Sequence, residues 1–162
     1  MHQPFLPGMP MPPRPTENRD ARTALAEYPA MSTEDLCRHA KPLGRAAELL
    51  VDSALVRLGE RVYPADEHER HDRILLLPSG ASLRLQVKTR HTQNDRGDYI
   101  FTLRQRSERG CTGRGPYEPQ DFDILAMVIL TENVIRFCAD WHLRQVIHAS
   151  EITELRRSPR QS

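Results

Sequence analysis

The stretch HDRILLLPSGASLRLQVKT, His71 to Thr89, decides the fold. Two apolar runs of strand length, Arg73 to Leu77 and Ser82 to Thr89, flank a turn made of Pro78, Ser79, Gly80 and Ala81, which is the pattern of a β-hairpin. The second run alternates strictly. Successive side chains on a strand point to opposite faces, so Leu83, Leu85 and Val87 share one face while Arg84, Gln86 and Lys88 share the other. Matching Leu75 with Leu85 and Leu77 with Leu83 on the core side calls for a three-residue loop and brings Asp72 opposite Lys88. A two-residue turn would shift the register by one and send Asp72 to the opposite face, and the sequence leaves the two alternatives open.

Upstream, Ala47, Leu50, Val51, Ala54, Leu55 and Leu58 recur at helical spacing within Leu43 to Leu58, and Gly59 supplies a C-terminal stop. Glu48 falls on the margin of that buried stripe, where a carboxylate can point into a cleft. A shorter helix is expected after Ser32, whose spacing to Asp35 resembles a capping box. Arg61 to Tyr63 and Tyr99 to Leu103 read as further strands. Phe122 to Leu130 and Val134 to Cys138 read as a hairpin around Glu132 and Asn133, and Asp140 to Val146 as a capped helix.

The chain has 162 residues, of which 38% are hydrophobic, enough for one core. We expect a proline-rich disordered tail over 1–30, one domain over 31–150 and a C-terminal tail over 151–162 whose final RRSPRQS frays. The net charge is only +1, so attraction to nucleic acid must come from a local patch. One exists: Arg84 to Arg114 holds eight Lys and Arg against three Asp and Glu, a local charge of +5. Cys37, Cys111 and Cys138 are far apart and odd in number, which points to a reducing, cytoplasmic setting rather than a disulfide framework. The longest apolar run, Ile124 to Leu130, is too short to cross a bilayer. His68, His71 and Cys111 lack the spacing of a zinc site.

Phosphodiester hydrolysis needs oxygen ligands for a divalent cation and a cationic group near the attacking water, and Asp72, Gln86 and Lys88 offer that set. A helix carrying Glu48, then Asp72 ahead of a hairpin, then Gln86-Val87-Lys88 on the next strand resembles the PD-(D/E)XK nuclease superfamily. The strings GRAAELLVDSALVRLGERVYP, HDRILLL, LRLQVKT and YEPQDFDILAMV are most similar to a branch of small prokaryotic endonucleases with a QxK motif that includes a group I intron homing enzyme.

That resemblance implies an α/β restriction-endonuclease-like fold, a mixed central sheet flanked by helices, and a DNA endonuclease activity dependent on Mg²⁺, with Mn²⁺ as a substitute. It implies that Asp72, the side-chain oxygen of Gln86 and the carbonyl of Val87 hold the metal, that Lys88 organises the attacking water, and that Glu48 binds metal through water or orients the site. Two departures stand out. His71 replaces the usual Pro, and the neutral Gln86 replaces an anion, which removes a unit of negative charge from the metal site.

The resemblance implies that Thr89, as in the family's QVKT, contacts phosphate and that Tyr117 contacts the DNA backbone; the loop arginines Arg104, Arg106, Arg109 and Arg114 are further expected DNA contacts, since guanidinium groups neutralise phosphates without reading bases. The resemblance also implies that Asp121 or Asp123 buttresses the site. One site per chain and two strands to cut imply at least a dimer. The alternative is a DNA-binding module that keeps the fold without catalysis; a protein-interaction adaptor using the proline-rich tail has only that tail in its favour.

Overall fold

Strand β3 (Ser82–Arg90) lies at the centre of a five-stranded mixed sheet, and the partners on its two sides place everything that follows. The structure, a computed structural model, describes residues 23–103 and 117–157. The chain divides into two units, residues 1–39 and 40–162.

In the first unit, Ser32 caps helix α1 (Thr33–Arg38) by accepting the Asp35 N–H at 3.1 Å, as the Ser-to-Asp spacing predicts. Residues 1–22, with the proline-rich opening, lie outside the described residues.

The second unit begins with helix α2 (Ala40–Arg57), which buries Leu43, Ala47, Val51 and Leu55 in one stripe. It starts a turn earlier than the apolar spacing predicts. Pro42 is tolerated there because the first-turn N–H groups have no partner within the helix. Gly59 ends it at φ 85°, and the N–H groups of Glu60 and Gly59 close the last turn on the carbonyls of Leu55 and Val56, each at 3.0 Å.

β1 (Arg61–Pro64), β2 (Arg73–Leu76) and β3 form an antiparallel ribbon. β5 (Ile124–Ile129) then joins β3 in parallel, and β6 (Val134–Cys138) closes the sheet antiparallel to β5, giving the order β1-β2-β3-β5-β6. β4 (Tyr99–Thr102) and β7 (Arg144–Ile147) pair in a separate two-stranded sheet.

Period two on β5 divides the core. Ala126 and Val128 pack with Leu85, Val87 and the buried stripe of α2. Leu125, Met127 and Ile129 pack with Tyr99, Phe101, Phe122 and Ile147 on the other side. The sheet thus lies between α2 and the small sheet, the mixed α/β architecture the sequence predicts. Among the described residues no helix is long and apolar enough to cross a membrane.

Three local expectations are corrected. The β2–β3 register is two residues tighter than the leucine matching suggests: Leu75 pairs with Leu83, and Leu77 donates to the Ala81 carbonyl at 2.8 Å around a loop of Pro78, Ser79 and Gly80. Gly80, at φ 86°, permits that tight loop. A shift of two preserves the face of every side chain, so the faces assigned to Gln86 and Lys88 stand. Residues 140–146 contain no helix; β7 occupies Arg144–Ile147 because β4 offers it a ladder that no local pattern encodes. Finally, helix α3 (Ile152–Arg157) lies within the expected C-terminal tail, with Ile152 buried and Leu155 packed on the core.

Candidate active site

Asp72 lies just ahead of β2, and the register places it across from Gln86, two positions before Lys88. The Val87 N–H donates to Asp72 Oδ2 at 2.7 Å, and the Gln86 side-chain amide donates to the same oxygen. The Gln86 nitrogen also donates to the Val87 carbonyl at 3.1 Å. One amide nitrogen therefore stands between a carboxylate oxygen and a backbone carbonyl oxygen, two hard acceptors aimed at one point. The Asp72 N–H is fastened to the Leu85 carbonyl at 2.9 Å, which holds this residue against β3 beyond the end of the strand pairing.

Burial raises the Asp72 carboxyl above its ordinary pKa, and the nearby charge of Glu48 adds to the rise. The hydrogen bond from Val87 and the charges of Lys88 and Arg73 pull the other way without cancelling it.

Lys88 projects from the same face of β3. Its Nζ donates to the Tyr117 hydroxyl at 3.0 Å and lies 4.8 Å from the centre of that ring. Tyr117 was expected to meet a DNA backbone. It is 6% exposed, meets Phe122 edge-on and accepts the hydrogen bond from Lys88.

Glu48 does come near Asp72 from α2, but its Oε2 accepts from Arg45 at 2.8 Å and from Arg73 at 3.1 Å. Arg73 is the residue that sequence reasoning missed. Its guanidinium, 3% exposed, also grips both oxygens of Asp52 at 2.6 and 3.0 Å and the Asp72 carbonyl at 2.7 Å. It ties helix α2 to the strand that presents Asp72. The signal was available: Arg73 has the core-facing parity of Leu75, and Glu48 and Asp52 stand one turn apart on α2.

Thr89 does not join the group. Its parity is that of Val87, and its hydroxyl is buried with no hydrogen-bond partner. Asp123 holds Arg84 through its backbone N–H at 2.7 Å and its side chain at 2.8 and 3.0 Å, and that guanidinium keeps the Asp123 carboxyl below its ordinary pKa. Asp121 accepts from the Glu118 N–H at 2.7 Å and pairs with Arg70 at 3.2 Å, so both aspartates brace the entry to β5. Arg104, Arg106, Arg109, Arg114 and Cys111 lie outside the described residues.

Among the described residues no group of three His, Cys, Asp or Glu could hold a metal ion. The Asp72 locus instead offers one carboxylate, one carboxamide and one backbone carbonyl. That all-oxygen set suits a hard divalent cation once the Gln86 amide presents its oxygen, and it suits a soft one poorly.

The fold is a nuclease-like α/β one, a mixed sheet flanked by helices. A bacterial homing endonuclease, I-Ssp6803I, has the same fold, with a TM-score of 0.54 at 19% identity over 64% of this chain and 74% of that one. No family model matches the sequence. Protein 5.3 of Escherichia phage T7 is 35% identical over 98 residues, which span 60% of this chain and 78% of that protein. The chain belongs to the family of that phage protein.

Proposed function

We propose that this protein is a metal-dependent DNA endonuclease that hydrolyses phosphodiester bonds. The observation that carries the reading is the convergence of Asp72 Oδ2 and the Val87 carbonyl on the Gln86 side chain, with the Lys88 ammonium on the same face. Asp72, the Gln86 oxygen and the Val87 carbonyl would hold Mg²⁺, or Mn²⁺ in its place. When bound, the ion supplies charge neutralisation at the phosphoryl oxygens and acidifies water. The Gln86 amide presents its nitrogen to Asp72, so holding a cation calls for the half-turn that brings its oxygen to that point.

Lys88, anchored by Tyr117, orients the attacking water and offsets negative charge on the phosphate. Glu48 acts at one remove, fixed by Arg45 and Arg73 and adding negative potential at Asp72. The endonuclease fold of the structural neighbour supports DNA as the substrate. A duplex cut on both strands by one site per chain calls for a homodimer or larger assembly.

The second reading is a DNA-binding module without catalysis, favoured by one feature: Asp72 is the only carboxylate in direct contact with Gln86 among the described residues, and a single anion holds a divalent ion weakly. Supercoiled plasmid, linear duplex and branched DNA incubated with Mg²⁺, Mn²⁺ or EDTA separate the two. The nuclease reading expects metal-dependent cutting that Asp72→Ala and Lys88→Ala abolish. DNA retarded in a gel but never cut by the wild type establishes the binding module instead.

A further inference from the structure

An open cleft of about 700 Å³ lies beside Tyr117. It is walled by Tyr117, Phe122 and Trp141, with Leu143 at its rim and the carboxylates of Asp123 and Asp140 beside them. The aromatic wall is ordered as a row. Phe122, fully buried, stacks on Trp141 with centroids 4.2 Å apart at 27°, and Tyr117 meets Phe122 edge-on at 5.3 Å. Trp141 is only partly buried, so part of its indole borders the cleft, and Leu143 beside it is 52% exposed.

The electrostatics select the occupant. Asp123 is already paired with Arg84, so the exposed Asp140 carboxylate, beside His142 in the lining, is the group that disfavours a phosphate there and can accept from the edge of a base. A flat, neutral ring with amino groups on its edge fits, because its face can stack on an indole and its edge can donate to a carboxylate. Positive charge lies at the other end of the row, where Lys88 Nζ meets the Tyr117 hydroxyl. A nucleotide has this polarity: an aromatic base joined to an anionic phosphate.

We infer that the cleft is a subsite for one unpaired nucleobase of the DNA, stacked against Trp141 beside Asp123 and Asp140, while a neighbouring phosphate lies at Lys88. The inference rests on the DNA reading above and adds a substrate class to it. A base that is paired in a duplex is stacked above and below and has no face to offer. The subsite therefore favours DNA with bulged, frayed or branched positions.

Trp141 is the only tryptophan in the chain, so its fluorescence reports on this cleft alone. The full-length protein is titrated in EDTA with two duplexes of equal length, one fully paired and one carrying a single unpaired nucleotide. Binding is followed by tryptophan fluorescence and by anisotropy of labelled DNA.

The duplex with the unpaired nucleotide should quench Trp141 and bind the more tightly. Trp141→Ala should weaken that duplex roughly tenfold, the size of one lost base stack, and change the paired one by less than about twofold. Trp141→Phe should retain most of the affinity. Leu143→Glu leaves the aromatic row intact and should weaken the same duplex through added negative charge at the rim, which keeps the test valid if the alanine variant unfolds.

Equal quenching by both duplexes, or a loss of affinity in the variants that is the same for the paired and the unpaired-nucleotide duplex, overturns the subsite. If metal-dependent plasmid cutting is present with no such discrimination, the endonuclease reading stands and the subsite falls. Discrimination without cutting leaves the subsite on a non-catalytic module. Failure to bind either DNA removes both.

Discussion

Replacing Arg73 with Met keeps the aliphatic bulk of the side chain and deletes its guanidinium. Four hydrogen bonds disappear: two to Asp52, one to Glu48 and one to the Asp72 carbonyl. Removing one partner of a fully buried ion pair costs about 3–5 kcal/mol, chiefly through the charge left behind. Here the orphaned carboxylates keep 26% (Glu48) and 27% (Asp52) of their side-chain surface exposed, so water recovers part of that cost. Arg45 still pairs with Glu48. We therefore expect a loss of about 2–3 kcal/mol, a large share of a typical domain's ~5–15 kcal/mol. With a urea slope of roughly 1–3 kcal/mol/M, the denaturation midpoint should fall by about 0.7–3 M. The double variant Arg73→Met with Asp52→Leu should recover most of the loss, because removing both partners leaves less unpaired charge. A midpoint shift below about 0.3 M, or a double variant no better than the single, refutes the claim that Arg73 ties α2 to β2.

Asp72→Asn should raise the melting temperature at neutral pH while abolishing cleavage, because the native site holds a carboxylate whose ionisation burial opposes. The sign follows from linkage. A folded pKa raised above the ordinary 3.8 means that the native state binds more protons than the unfolded one, so the wild type loses stability as pH rises through that window. The advantage of the Asn variant should thus be full above the raised pKa and vanish below the ordinary one; a constant difference across calorimetric scans at several pH values contradicts the account. Gln86→Glu places a second carboxylate against Asp72 Oδ2 at a position only 4% exposed, so thermal melting in EDTA should occur at a lower temperature than for the wild type. Adding Mg²⁺ should raise its melting temperature more than it raises the wild type's, and an equal rise would mean that position 86 does not face the ion.

Much of this arrangement was legible because it rests on short-range periodicity. Spacing of 3.6 marks α2 from Leu43 to Leu55, and period two on β3 sorts Gln86 and Lys88 from Leu85 and Val87. The register resisted for a physical reason. Leu83, Leu85, Leu75 and Leu77 satisfy a core in more than one pairing, and the choice falls to the backbone of Gly80 rather than to hydrophobicity. β7 resisted because its ladder partner β4 is distant in the chain; Asp140 ahead of Trp141 and Leu143 imitates a helix start, and only tertiary pairing overrides it. Arg73 was hidden by its type. A charged residue at the head of a strand reads as solvent-facing until its carboxylate partners, Glu48 and Asp52, are brought across from the helix.

The pairing of β3 with β5 is parallel, and this sets an order of assembly. Asp72 and Gln86 are 14 residues apart and meet within one hairpin, a short loop closure, whereas Lys88 and Tyr117 are 29 apart and meet only after the chain has returned to lay β5 alongside β3. We expect the hairpin to be largely formed in the folding transition state and the Tyr117 contact to be absent from it. Leu83→Ala should then slow folding, and Tyr117→Phe should mainly speed unfolding; the reverse pattern in stopped-flow kinetics would show that the long-range pairing comes first. On this order, the residues that would hold the ion are gathered before the lysine beside them is anchored.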